Sequence, residues 1–165
     1  MSCDCSKYTP IELDRGSIDL RIKQSPSIRK HLSEIARNEE LRLGLFQCVE
    51  CGQFWQSGWE WNFDGKEYLF QVPPIEISDW QNEPYQQPAA MMIYSAVMRD
   101  LFARSKFEAG NSPCRVEGCG RFALKTSVFC RDHHIESIQK RGRLPKKPFG
   151  RMFPPYFVES TDNIE

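Results

Sequence analysis

Seven cysteines and three histidines are the residues of this 165-residue chain best suited to chemistry, and their spacing sorts them. Cys114, Cys119, Cys130 and His133 fall as two close pairs within 20 residues. Thiolate and imidazole are the ligands of tetrahedral zinc, and pairs close in sequence lower the entropy of assembling a four-ligand shell. The segment Asp132-His133-His134-Ile135-Glu136 predicts the first turn of a helix closed by Gly142. Cys130 and His133 therefore sit where a knuckle meets a helix N-terminus, whose partial positive charge favours a thiolate at Cys130. His134 is the weaker ligand, since His133 completes the shorter spacing.

The second constellation is Cys48-x2-Cys51-Gly52, a knuckle spacing whose glycine permits the tight turn. Two thiolates do not fill a zinc shell, and Cys3 and Cys5 are the only cysteines left. Either they complete a second site of four thiolates, or they are free cysteines at a frayed end. The cofactor expected is thus Zn2+, with one site in the C-terminal unit and room for a second.

Beyond the ligand pairs, Cys114-x4-Cys119-Gly120-Arg121-x-Ala123, then Phe129-Cys130-x2-His133, lead into a basic stretch ending near Arg141-Gly142-Arg143-Leu144-Pro145. This pattern resembles the small zinc fingers that accompany bacterial and phage HNH-type endonucleases, over about 30 residues. The resemblance implies a treble-clef-like finger with Cys114, Cys119, Cys130 and His133 as zinc ligands. It does not extend to HNH catalysis, which needs a further histidine-asparagine-histidine constellation; outside the finger only His31 remains. The run Phe46-Gln47-Cys48-Val49-Glu50-Cys51-Gly52-Gln53-Phe54-Trp55 is similar to a zinc-ribbon segment of uncharacterised bacterial proteins, some resembling immunity proteins found near polymorphic toxin genes.

The elements that must position these groups are legible in part. Leu43 to Cys48 predicts a strand entering the knuckle, and Phe54 to Trp61 and Tyr68 to Val72 predict a hairpin around an Asp64-Gly65 turn. Ser25 as a cap and Pro26 as first residue, with Ile28, Leu32, Ile35 and Ala36 at helical spacing, predict a helix over 26–38. Ile18, Leu20 and Ile22 permit a short strand before it. An irregular connector spans 74–88, and an apolar helix runs from about Pro88 to about Phe107. The fold class expected is α+β. Two main helices and a small antiparallel hairpin-based sheet would form a body over 1–110, followed by the finger over 111–143 and a proline-rich extended tail over 144–165.

Formal net charge is zero, from 22 Lys and Arg against 22 Asp and Glu, but it is a cancellation. Residues 45–98 carry −6 and residues 99–151 carry +8. No run is apolar for the roughly 20 residues a membrane span needs, and no signal-peptide core opens the chain, so a cytoplasmic address is expected. In that reducing setting the cysteines are expected to be metal ligands or buried thiols rather than disulfides. There is no Gly-rich phosphate loop, serine elbow or His-Glu-x-x-His, and a four-ligand finger leaves no open metal position, so no catalytic residue is assigned. Glu50, Trp59, Glu60, Asp64, Glu67, Asp79 and Trp80 form an acidic, tryptophan-bordered set suited to docking a basic protein. The function expected is a non-enzymatic zinc-binding protein, immunity- or antitoxin-like, that occludes a toxin. The alternative is a nucleic-acid-binding finger that uses the basic third; a zinc-held scaffold is the third reading.

Overall fold

The apolar and aromatic runs of the first half build one sheet in the computed structural model, which describes residues 3–60 and 65–154. Four antiparallel strands follow in order: β1 (Leu32–Asn38), β2 (Leu43–Cys48), β3 (Phe54–Glu60) and β4 (Lys66–Val72). Register aligns Leu45, Gln56 and Phe70 on one face and Phe46, Trp55 and Gln71 on the other. The first face joins Ala36, Leu43, Tyr68 and Val72 to Trp80, Tyr85, Met91 and Phe153. The second packs Phe46, Cys48, Trp55 and Leu69 against Ile28 and Cys5. A sheet covered on both sides does not alternate apolar with polar, which is why Trp55, Gln56, Ser57 and Gly58 are all buried in succession.

Helix α1 (Arg15–Arg29) lies against β4 and begins at Asp14, whose Oδ1 accepts from the Ser17 amide at 2.9 Å. The helix expected over 26–38 is therefore displaced: Pro26 lies inside α1, and 32–38 is strand. A register shift between Glu34 and Ala36 marks a bulge, and the extra residue sets Leu32, Ile35 and Ala36 at spacings that imitate a helix. The Ser25 hydroxyl does not cap; it donates to the Arg21 carbonyl and accepts from the Leu69 amide, both at 2.8 Å. Likewise Ile18, Leu20 and Ile22 are helical, and the 74–88 connector contains a short helix, α2 (Ile77–Asn82). The expected hairpin is present as β3 and β4; its turn residues 61–64 lie outside the described residues.

Helix α3 (Pro88–Arg104) leads to β5 (Ala109–Pro113), which pairs antiparallel with β6 (Phe122–Leu124), and then to α4 (Arg131–Lys140). The class is α+β. The chain divides into two compact units, residues up to Ile93 with those from Pro148, and Tyr94–Lys147. The division thus falls within α3 rather than at 110, and the end of the described chain returns to the first unit. Gln86 Nε2 donates to the carbonyls of Pro148 and Gly150 at 3.0 and 2.9 Å, and the Phe153 ring meets Tyr85 edge-on at 5.1 Å. Gly150 is required there: its φ is +115°, and a Cβ would stand 2.9 Å from the Pro84 carbonyl oxygen. No helix among the described residues is long and apolar enough to cross a membrane.

Candidate metal centres

The second unit brings Cys114, Cys119, Cys130 and His133 together, with their ligand atoms all within 4.8 Å of one another. His133 Nδ1 lies 3.3 Å from Cys114 Sγ and 3.4 Å from Cys130 Sγ, and the Cys119 and Cys130 sulfurs are 3.9 Å apart. Cys114 and Cys119 flank a knuckle turned by Gly118 at φ +77°, while Cys130 is the N-cap of α4 and His133 falls in its first turn. Burial works against ionising Cys114, but the amides of Cys130 and Val116 and the imidazole of His133 outweigh it and bring the thiol from 9.0 down to about 6. Burial pushes the Cys130 thiol up. His134 stands outside the cluster, with Nδ1 3.0 Å from Ser127 Oγ.

Cys3, Cys5, Cys48 and Cys51 form the other cluster, again with sulfurs within 4.8 Å, so the two N-terminal cysteines do meet the knuckle. Its position follows from the fold. The β2–β3 turn presents Cys48 and Cys51, with Gly52 at φ +76° and the Gly52 amide donating to the Cys48 carbonyl at 3.0 Å. Residues 3–9 cross the same face of the sheet: Gln71 Nε2 donates to the Cys5 carbonyl at 2.8 Å, and Tyr8 meets Trp55 edge-on at 6.0 Å. Burial opposes ionisation of Cys48, yet the Cys51 and Glu50 amides aimed at its sulfur lower the thiol to about 7. Burial pushes Cys5 strongly the other way, while the Trp55 indole N–H favours its thiolate. That buried N–H has no hydrogen-bond partner of good geometry among the described residues. Each cluster can hold a metal ion through four protein ligands.

Arg21 is a positioning residue that the sequence reading passed over. Its guanidinium lies 5.7 Å from the Tyr8 ring and 5.5 Å from the Trp55 ring, and it donates to the carbonyls of Leu69 and Thr9. It ties the N-terminal segment to the sheet. Its signal was its spacing with Ile18, Ser25 and Ile28, which is visible only once 15–29 is read as one helix.

The acidic, tryptophan-bordered set does not form one surface. Trp80 is fully buried, with its indole donating to Gln56 Oε1 at 2.7 Å, so it is a core residue. Gln56, its hydrogen-bond partner, is buried too. Glu67 is ion-paired with Arg29, and burial raises the Glu60 carboxyl. Glu50 and Asp79 are exposed, Trp59 is 52% exposed, and Asp64 lies outside the described residues. In the second unit 12 Lys and Arg face five Asp and Glu, a net +7. Asp100 pairs with Arg104, Glu108 with Lys125, and Asp132 with Arg121 and Arg131. Lys140, Arg143, Lys146 and Lys147 have no carboxylate partner among the described residues.

No protein-family model matches the chain, and no curated protein or solved structure matches it either.

Proposed function

We propose that the chain is a non-enzymatic binding protein, each of whose two clusters holds a structural zinc ion, and that its second unit binds nucleic acid through the phosphates. Zinc bonds of about 2.3 Å to sulfur and about 2.0–2.1 Å to nitrogen put tetrahedral ligand atoms about 3.8 Å (S to S) and about 3.6 Å (S to N) apart. The finger's 3.9, 3.3 and 3.4 Å separations lie close to those edges. Thiolate ligands select zinc over the hard cations that prefer oxygen. The orphaned Trp55 N–H supports a thiolate at Cys5, which four-sulfur coordination supplies. Four protein ligands per ion leave no open coordination position, so the metals act as structural ties. A reducing cytoplasm suits a protein whose seven cysteines are all free.

The observation that carries the nucleic-acid reading is the row of unpaired cations at and beyond the end of α4, set in a unit of charge +7. Phosphate neutralisation releases counterions and dominates such binding at low salt. Titrating the chain with a generic duplex and a single strand at about 50 mM salt tests it, because phosphate contacts are strongest at low ionic strength. Saturable binding that weakens as salt rises is expected, and no binding to either probe overturns it.

A second reading rests on Trp59. It stands at a groove of about 250 Å³ with Leu41, Leu43, Tyr85 and Phe149, and Phe149 is 69% exposed. Exposed aromatics of this kind anchor protein partners, in line with an immunity- or antitoxin-like protein that occludes a toxin. Co-expression with the product of a neighbouring toxin gene tests it: protection lost in Trp59→Ala supports occlusion, and absence of protection by the parent chain removes it.

A further inference from the structure

The two clusters differ in a way that structural symmetry does not require. In the finger, Cys114 and Cys130 are buried and Cys119 is half-buried, so no sulfur is freely exposed. In the N-terminal cluster Cys51 is exposed, Cys3 is half-buried as Cys119 is, and Cys5 and Cys48 are buried. Cys3, Cys5 and Cys51 also line a hollow of about 690 Å³, whose rim includes Ser6, Glu50 and Pro74. The N-terminal cluster thus differs from the finger in its exposed Cys51 and in the hollow that Cys3 and Cys51 both line, and the sulfurs of those two lie within 4.8 Å of one another.

Resting on the zinc reading above, we infer that Cys3 and Cys51 form a peroxide-reactive pair whose oxidation ejects the N-terminal zinc and leaves the finger's in place. Exposed thiolates are the first to climb the oxidation ladder, and a neighbouring cysteine captures the sulfenic acid. The Cys51 thiolate attacks one oxygen of hydrogen peroxide and breaks the O–O bond, giving a sulfenic acid and hydroxide, which takes a proton to become water. The Cys3 thiolate then displaces hydroxide from the Cys51 sulfur, forming the disulfide and, with a second proton, a second water. Two electrons pass from the sulfur pair to peroxide. Zinc loses two of its four ligands and dissociates, since Cys5 and Cys48 alone do not complete a shell. The tie between residues 3–9 and the β2–β3 turn changes from a metal to a disulfide, so the segment stays attached while the buried Cys5 and Cys48 sulfurs lose their ion.

The test uses the full zinc-loaded chain. Zinc content is measured first; hydrogen peroxide is then titrated in while a chromogenic chelator reports released zinc, with a peroxide-free control. Non-reducing peptide mapping locates the disulfide. The expected result is release of one of two zinc ions, a Cys3–Cys51 disulfide, intact Cys114, Cys119 and Cys130, and recovery of the second ion after dithiothreitol and added zinc. A chain that starts with two ions but loses the finger's first, or forms a disulfide between other cysteines, or keeps both ions, overturns the inference alone. A chain purified with fewer than two zinc ions, and unable to take up a second, overturns the metal reading and the inference with it.

Discussion

The carboxamide of Gln56 is the polar centre of the first unit's core. Its Oε1 accepts from Trp80 Nε1 at 2.7 Å and from the Tyr85 amide at 3.1 Å, and its Nε2 donates to the Tyr85 carbonyl at 2.8 Å. Leucine fills similar volume but leaves the indole N–H, the amide and the carbonyl buried without partners. At about 1–3 kcal/mol for each such group, Gln56→Leu should lower stability by at least about 3 kcal/mol in urea denaturation. A loss below about 1 kcal/mol, the worth of a single ordinary hydrogen bond, would show that the network is dispensable. At Cys130 the side chain is at once ligand and N-cap position. Cys130→Ser should reduce zinc from two ions to one and cost α4 its helical circular dichroism, because in so small a unit metal binding supplies folding energy. A folded Cys130→Ser chain that still carries two ions contradicts the ligand set.

At the scale of elements, what could be read from sequence was what local covalent geometry dictates. Cys48-x2-Cys51-Gly52 and Cys130-x2-His133 place two ligands each within a turn, whatever surrounds them, and β2 and the β3–β4 hairpin carry their own β-formers and turn residues. The 26–38 segment misled because a bulge gave a strand the spacing of a helix, and because the true helix start at Asp14 is followed by Gly16 in its first turn. Trp80 was misplaced for another reason: only tertiary packing reveals that both faces of the sheet are covered. The convergence of Cys3 and Cys5 on the knuckle depends on the chain's path over that sheet, fixed by Gln71, Arg21 and Tyr8.

The two knuckles also make distinct pH predictions. The thiols of Cys48 and Cys114 titrate at about 7 and about 6 in the fold against an ordinary 9.0. A folded-state value below the unfolded one means stability that is present above pH 9 and lost as pH falls through the folded value. Protons compete with metal for the same sulfurs, so the sign is unchanged when zinc is bound. The N-terminal cluster needs four deprotonated thiols, one of them the deeply buried Cys5 that burial pushes up, where the finger needs only three. Lowering pH from 9 to 5 should therefore release its zinc first, followed by the finger's, as read by released metal. Loss of both ions in a single step, or of the finger's first, contradicts that order.

For the whole molecule, net charge and function are separate matters. Formal zero and a sequence pI of about 6.8 arise because the second unit's +7 is cancelled by −7 in the remainder of the chain. A polyanion feels the local field rather than the sum, over about 8–10 Å at ordinary ionic strength. If the second unit neutralises phosphates, the logarithm of the binding constant should fall linearly with the logarithm of salt, with a slope of about −0.9 per contact on a duplex. Lys146 and Lys147 have no ion-pair partner among the described residues, so converting both to glutamine leaves no buried charge exposed to a lost partner. The double variant should weaken binding to every sequence alike and make the slope shallower by about 1.8, that is, about 0.9 for each contact removed. Changes at Lys125, already engaged with Glu108, should move it much less. A slope that stays the same in the double variant would take the phosphates away from Lys146 and Lys147.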